Sequence, residues 1–316
     1  MPPAAWLALY SVLILAVSLL GGLLPALMAV THKRLQLLGS VIAGFIIGTA
    51  LLHMLPHAAM DLSPLALGAW TLAGLLTMYL VERFFTFHHH ELAESAADPG
   101  HEHTHAFDHG DLETQNANLE TTGSAPDTPQ TQRGIAWLGV AIGLTLHSLL
   151  AGIALAAAIA AEPGAIPGLA VFLIIALHKP LDSLTLIGLM RHGKASRRAM
   201  HLANAAFALV VPLGAIGFYA LASLTTGGIQ ADAAPALAFA AGVFLCIALS
   251  DLLPELHFHA HDRVKLSAAL LLGVALATAV ALAEHATHAG HDHGGHGDHS
   301  GHNHANHADD HHGHAH

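Results

Sequence analysis

The stretch VFLIIALHKPLDSLTLIGLM, Val171–Met190, decides how this chain is to be read. It is apolar for almost its whole length and long enough to cross a bilayer, which takes about 20 residues. Yet its middle carries His178, Lys179 and Asp182 within five positions, with Pro180 among them. Ionisable groups at membrane depth are costly, and they mark interior pathways or partnered sites.

The rest of the chain settles the solvent. Of its 316 residues 53% are hydrophobic and only 10% are charged, with a mean hydropathy of +0.54. Soluble domains carry about 25% charged residues, so lipid surrounds most of this chain. The formal charge of −11 comes from loops and tails, which argues against nucleic acid as a partner. Cys246 has no second cysteine to bridge, and no CxxC motif exists. The N-terminal run MPPAAWLALYSVLILAVSLL lacks a positive n-region and a small-residue cleavage site, so it reads as a first spanning helix rather than a signal peptide.

Eight stretches qualify as spans, near 5–30, 36–58, 64–87, 134–160, 165–190, 199–225, 233–256 and 264–285. The expected fold is therefore an all-α polytopic membrane protein. Its parts are spans 1–3 (1–87), a polar loop (88–133), spans 4–5 with the ionisable groups (134–190), spans 6–8 (191–285) and a polar tail (286–316). Ten of the eleven Lys and Arg residues fall on one side if the spans alternate: Lys33, Arg34, Arg83, Arg133, Arg191, Lys194, Arg197, Arg198, Arg263 and Lys265. Basic residues stay cytoplasmic. Both termini are expected outside and the 88–133 loop inside, in a plasma or bacterial inner membrane. The eleventh is Lys179, within span 5.

The chain also repeats itself. GFIIGTALLHMLPH (Gly44–His57) aligns without gaps to GVFLCIALSDLLPE (Gly242–Glu255), which sets His53 and His57 opposite Asp251 and Glu255. Span 2 runs outward and span 7 inward, so the copies are inverted, as in transporters whose site lies between repeats at mid-membrane. Spans 1–3 then match spans 6–8, with spans 4 and 5 between them. The paired polar groups read as two pathway mouths, His53 and His57 outside, Asp251 and Glu255 inside.

Span 4 contains GLTLHSLLAGIAL, with His147 near its middle. On span 5, His178 and Asp182 are four apart and share a helix face. The short connector EPGAIPG (162–168) can bring His147 to the same depth. Two imidazoles and a carboxylate suit Zn²⁺ or a similar divalent ion. A structural reading stays open beside this: an interhelical bond for His147, and a His–Asp or Lys–Asp pair on span 5.

These residues carry a family resemblance. HSLLAG (His147–Gly152), HKPLD (His178–Asp182), VVPLGAIG (Val210–Gly217) and the leucine-proline segments of spans 2 and 7 together resemble the ZIP (Zrt/Irt-like) metal transporters. The resemblance implies divalent-metal transport toward the cytosol by an inverted three-plus-two-plus-three helix arrangement, and no enzymatic activity. It implies a metal site at His147, His178 and Asp182. Where the family adds ligands for a second metal, this chain has Ser148, Ala151, Lys179 and Val211. An ammonium and a hydroxyl thus occupy the second-site position, and a single-metal site is expected.

Twenty of the thirty histidines lie in the polar segments, seven in the loop and thirteen from His285 onward. Mixed with Gly, Asp and Asn, such tracts bind metal without building a core. Auxiliary capture is expected at His101, His103 and His105 in the loop and at His291, His293, His302 and His304 in the tail. Zinc is the expected substrate, with Cd²⁺, Fe²⁺, Co²⁺ and Mn²⁺ admitted by the same donors; the expected partners are lipid, divalent metal and a second copy in a homodimer. Among rival classes, an intramembrane metalloprotease needs H-E-x-x-H, and HKPLD has Lys where the base belongs. A cation-diffusion exporter would have about six spans and a cytosolic C-terminal domain. A metal-responsive sensor without flux remains as the alternative, and zinc flux into vesicles separates the two.

Overall fold

The computed structural model describes residues 1–27, 32–85, 130–162, 164–252 and 263–289. Among them all regular structure is helical. The helices are α1 (Pro3–Leu27), α2 (His32–Thr49), α3 (Leu55–Ala59), α4 (Pro64–Phe85), α5 (Gln130–Ala161), α6 (Leu169–His192), α7 (Arg197–Ala208), α8 (Val210–Ala222), α9 (Gly228–Ile247) and α10 (Arg263–Ala289). Eight stretches are long and apolar enough to cross a membrane, and they coincide with the eight expected from sequence. The expected capture histidines at 101, 103, 105, 291, 293, 302 and 304 lie outside the described residues.

Three of the spans are not simple helices, and each irregularity precedes a proline. Proline removes a backbone donor and crowds the carbonyl four residues back. Pro56 follows a π-helical segment, Ala50–Met54, so span 2 continues through the proline into α3 instead of ending there. A second π segment, Ala248–Leu252, precedes Pro254. The two segments occupy equivalent positions of the fourteen-residue repeat. Span 6, expected as one helix, is split at Leu209 between α7 and α8, where Pro212 opposes the Ala208 carbonyl. Pro180, by contrast, lies within α6, which runs on to either side of it.

Lipid gives helices little reason to associate except close packing, and small residues at the contact allow it. The pairs α2 with α10, α4 with α9, α5 with α8 and α1 with α6 pack most extensively. Glycines set the first three. A Cβ at Gly44 would overlap the Leu270 carbonyl oxygen, and one at Gly273 would overlap that of Val41. Gly74 and Gly242 stand in the same relation to Phe239 and Thr71, as do Gly152 and Gly214 to Val211 and Leu149. The core so formed contains Ile14, Ile42, Leu155, Ile174, Ile175 and Phe244.

Replacing Gly44 by Val forces a branched side chain against backbone that cannot give way. Overpacking a close contact costs about 1–3 kcal/mol. The expected outcome is a lower thermal midpoint in detergent, measured by size-exclusion recovery after heating, with no such change for Gly39→Val, where a Cβ meets open space.

Candidate metal centre

The central group is assembled by two antiparallel helices. His178 and Asp182 lie one turn apart on α6, and His147 comes from α5. Their donor atoms converge: His147 Nε2 is 3.2 Å from His178 Nε2, and Asp182 Oδ2 is 3.7 Å from the first and 3.8 Å from the second. A tetrahedral zinc with bonds of about 2.0–2.1 Å keeps its donors about 3.3 Å apart. The three atoms already stand near the spacing such an ion needs.

The tautomer of His178 is fixed by its backbone. His178 Nδ1–H donates to the Ile174 carbonyl oxygen at 2.7 Å. The lone pair is therefore on Nε2, aimed at the other two donors, as in most metal-bound histidines. His147 Nδ1 and Asp182 Oδ2 are buried with no hydrogen-bond partner among the described residues. Uncompensated buried polar atoms are rare, and a divalent ion coordinated by this carboxylate satisfies it. About 15% of the Asp182 side chain is exposed, against 5% and 8% for the two histidines. Asp182 is thus the least enclosed of the three side chains, and a tetrahedral ion held by three such donors would keep one position for water or exchange.

Lys179 is fully buried at 0% exposure. Its Nζ donates to Ser148 Oγ at 2.6 Å and sits 3.5 Å from the centroid of the Phe207 ring. The two residues singled out at the second-site position therefore touch each other, and no ion pair joins Lys179 to Asp182 among the described residues. The cation–π contact with Phe207 had no signal in the sequence. Ala151 and Val211 are packed in the apolar core.

A second group was only half legible. His53, in the first π segment, and His57, in α3, are 1% and 9% exposed, so they are enclosed rather than open to solvent. Glu162, at the end of α5, completes a cluster whose donor atoms lie within 4.8 Å of one another. Asp251 falls in the second π segment, and Glu255 lies outside the described residues.

Eight membrane-length helices enclosing imidazole and carboxylate side chains define an all-helical polytopic membrane protein. Sequence comparison gives the class a family: the model described as "ZIP Zinc transporter" matches residues 4–281, and the chain belongs to that family. Its members are transporters rather than enzymes. Among curated relatives, zinc transporter ZIP9-B of Xenopus laevis is 25% identical over 292 residues, covering 81% of this chain and 88% of the relative. Zinc transporter ZIP9-A of the same species is 24% identical, with 81% and 87% covered. Zinc transporter ZIP9 of Xenopus tropicalis is also 24% identical, with the same coverage.

Loss of an outer-shell partner alone lowers metal affinity about 10–100-fold. If these donors hold the ion directly, His178→Ala or Asp182→Ala is expected to cut zinc uptake by more than about tenfold while the protein still reaches the membrane. Uptake rates normalised to membrane-inserted protein check this, and an unimpaired Asp182→Ala protein removes the assignment.

Proposed function

We propose that this protein carries Zn²⁺ across the membrane toward the cytosol through a single-metal site formed by His147, His178 and Asp182. The observation that carries the reading is the convergence of three buried donors, from two helices, inside a bundle of eight membrane-length helices. The named activity of the Xenopus relatives supports zinc as cargo. The repeat supports the inverted three-plus-two-plus-three arrangement. Equating span 2 with 7, 3 with 8, 1 with 6 and 4 with 5 turns the α2–α10 contact into the α9–α4 contact, and the α1–α6 contact into the α8–α5 contact.

The mechanism follows from the donors. With His178 Nε2 unprotonated, the 3.2 Å contact uses a proton on His147 Nε2. An arriving ion takes the place of that proton, which leaves Nε2 for water while His147 takes up a proton at Nδ1 and stays neutral, and Asp182 Oδ2 becomes the anionic ligand. The positive charge of Lys179, held by Ser148 and Phe207, repels a further cation. One ion binds, and the single carboxylate holds it loosely enough for release.

Uptake by purified protein in liposomes across a panel of divalent ions tests the function. Zinc accumulation above protein-free vesicles is expected, and binding without flux would leave a sensor in its place. Lys179→Glu removes the repelling charge and adds a donor. It is expected to raise the number of metals in a zinc-edge anomalous map at this centre from one to two, and two fully occupied ions at this centre in the unmodified protein would overturn the single-metal reading.

The basic residues support a topology with both termini outside. In a Cys246→Ser background, a membrane-impermeant thiol reagent added to intact cells is expected to label Ser300→Cys in the tail and leave Ser124→Cys in the loop unlabelled. The opposite pattern would reverse the orientation.

A further inference from the structure

The cluster of His53, His57 and Glu162 lies well away from the central donors. Glu162 follows His147 by fifteen positions, and the connector glycine Gly168 precedes His178 by ten. At 1.5 Å per helical residue the two groups are separated by about 15–22 Å along the bundle. Between them α5 and α6 present Leu155, Ala158, Val171, Ile174 and Ile175, all buried and apolar. The cluster is therefore a separate place, at the end of the bundle where span 2 finishes and spans 4 and 5 are joined.

Its chemistry is that of a ligand set. Glu162 uses both oxygens: Oε1 lies 2.8 Å from His53 Nε2, and Oε2 accepts the Gly168 amide at 2.7 Å. Gly168 has φ +72°, a conformation a side chain rarely adopts, so this turn locks the carboxylate in place. His57 Nδ1–H donates to the His53 carbonyl oxygen at 2.9 Å. That bond puts the lone pair of His57 on Nε2 and orients the ring, as metal-bound histidines are oriented. The two rings stand 4.5 Å apart, centroid to centroid. The π segment turns His53 toward the carboxylate, and such segments recur at functional sites. A carboxylate needed only to close the connector has that bond from Gly168; two enclosed imidazoles beside it do not serve that purpose.

We propose that His53, His57 and Glu162 form a second divalent-metal site, which receives zinc at the outer mouth before it reaches the central donors. The inference rests on the reading of this protein as a zinc carrier entered from that end. A metal replaces the His53–Glu162 hydrogen bond, whose Nε2 proton leaves for water, and ties span 2 to the α5–α6 connector. The apolar layer beneath keeps the ion from the central site until the helices repack.

Zinc-edge anomalous diffraction from the full-length protein with zinc distinguishes the sites by position, whatever the histidine tracts bind. The expected map has one peak among His53, His57 and Glu162 and one among His147, His178 and Asp182. Glu162→Gln keeps an acceptor for Gly168 and is expected to lose only the outer peak; Asp182→Ala is expected to lose only the central one. In liposomes, Glu162→Gln is expected to raise the zinc concentration for half-maximal uptake about tenfold. If Glu162→Gln fails to fold, His57→Ala carries the same expectations. A central peak without an outer one overturns the inference and leaves the carrier reading intact. An outer peak without a central one keeps the inference and removes the central-site reading. Unchanged half-maximal zinc in both Glu162→Gln and His57→Ala means the cluster only braces the connector.

Discussion

Lipid offers no hydrogen bonds, so every polar atom this protein takes into the bilayer must find its partner inside the bundle. That constraint explains why its polar groups occur in sets. The His178 ring leans on the Ile174 carbonyl, Lys179 on Ser148, and Glu162 on the Gly168 amide. Each bond costs the chain a fixed geometry, and fixed geometry is what a metal site needs. The same constraint makes the glycine contacts necessary. Backbones that touch at Gly152 and Gly214 keep α5 and α8 from parting, and α5 is the helix that delivers both His147 and Glu162.

Prolines shape the rest. In water a helix interrupted by proline loses about 3 kcal/mol or more. Here the interruptions at Pro56 and Pro212 are absorbed by a π segment and by a helix break. His53 lies in the first π segment, and Val211 lies one residue before Pro212. Irregular backbone in a membrane persists where it lines an interior. The positions of the irregularities therefore mark the same interior that the ionisable residues mark.

Much of this was legible in the sequence because hydropathy and spacing are local properties. The eight spans follow from apolar length, and the His178–Asp182 pair follows from a spacing of four. Ser148 and Lys179 were grouped by motif, and the structure brings them to 2.6 Å. What escaped was set by tertiary placement. Glu162 sits in a Pro- and Gly-rich connector that reads as a turn, and nothing local tells it from a solvated acid. One clue was present: it is the sole charged residue between His147 and His178, in a connector too short to carry it far from the helix ends. The enclosure of His53 and His57 was equally hidden, since a histidine near a helix end reads as a mouth whether or not its neighbours cover it. The split at Leu209 was foreshadowed only by Pro212.

The least expected feature is a cation buried beside a cation site. In the proposed mechanism Lys179 places positive charge beside a positive substrate, which opposes binding. Weak binding is an advantage only if the ion still dwells long enough to be selected. The remaining donors meet that need: two imidazoles discriminate by softness and geometry, while one carboxylate supplies the attraction. The ammonium is kept in place without a carboxylate of its own, by a hydroxyl and an aromatic face. Asp182 thereby makes no direct ion pair with Lys179, and its Oδ2 faces the two imidazoles. A Lys179 hydrogen-bonded to Asp182 would occupy the site's only carboxylate; turned toward Ser148 and Phe207, the lysine leaves those oxygens free of such a bond, and in the proposed mechanism its charge is what limits occupancy to one ion.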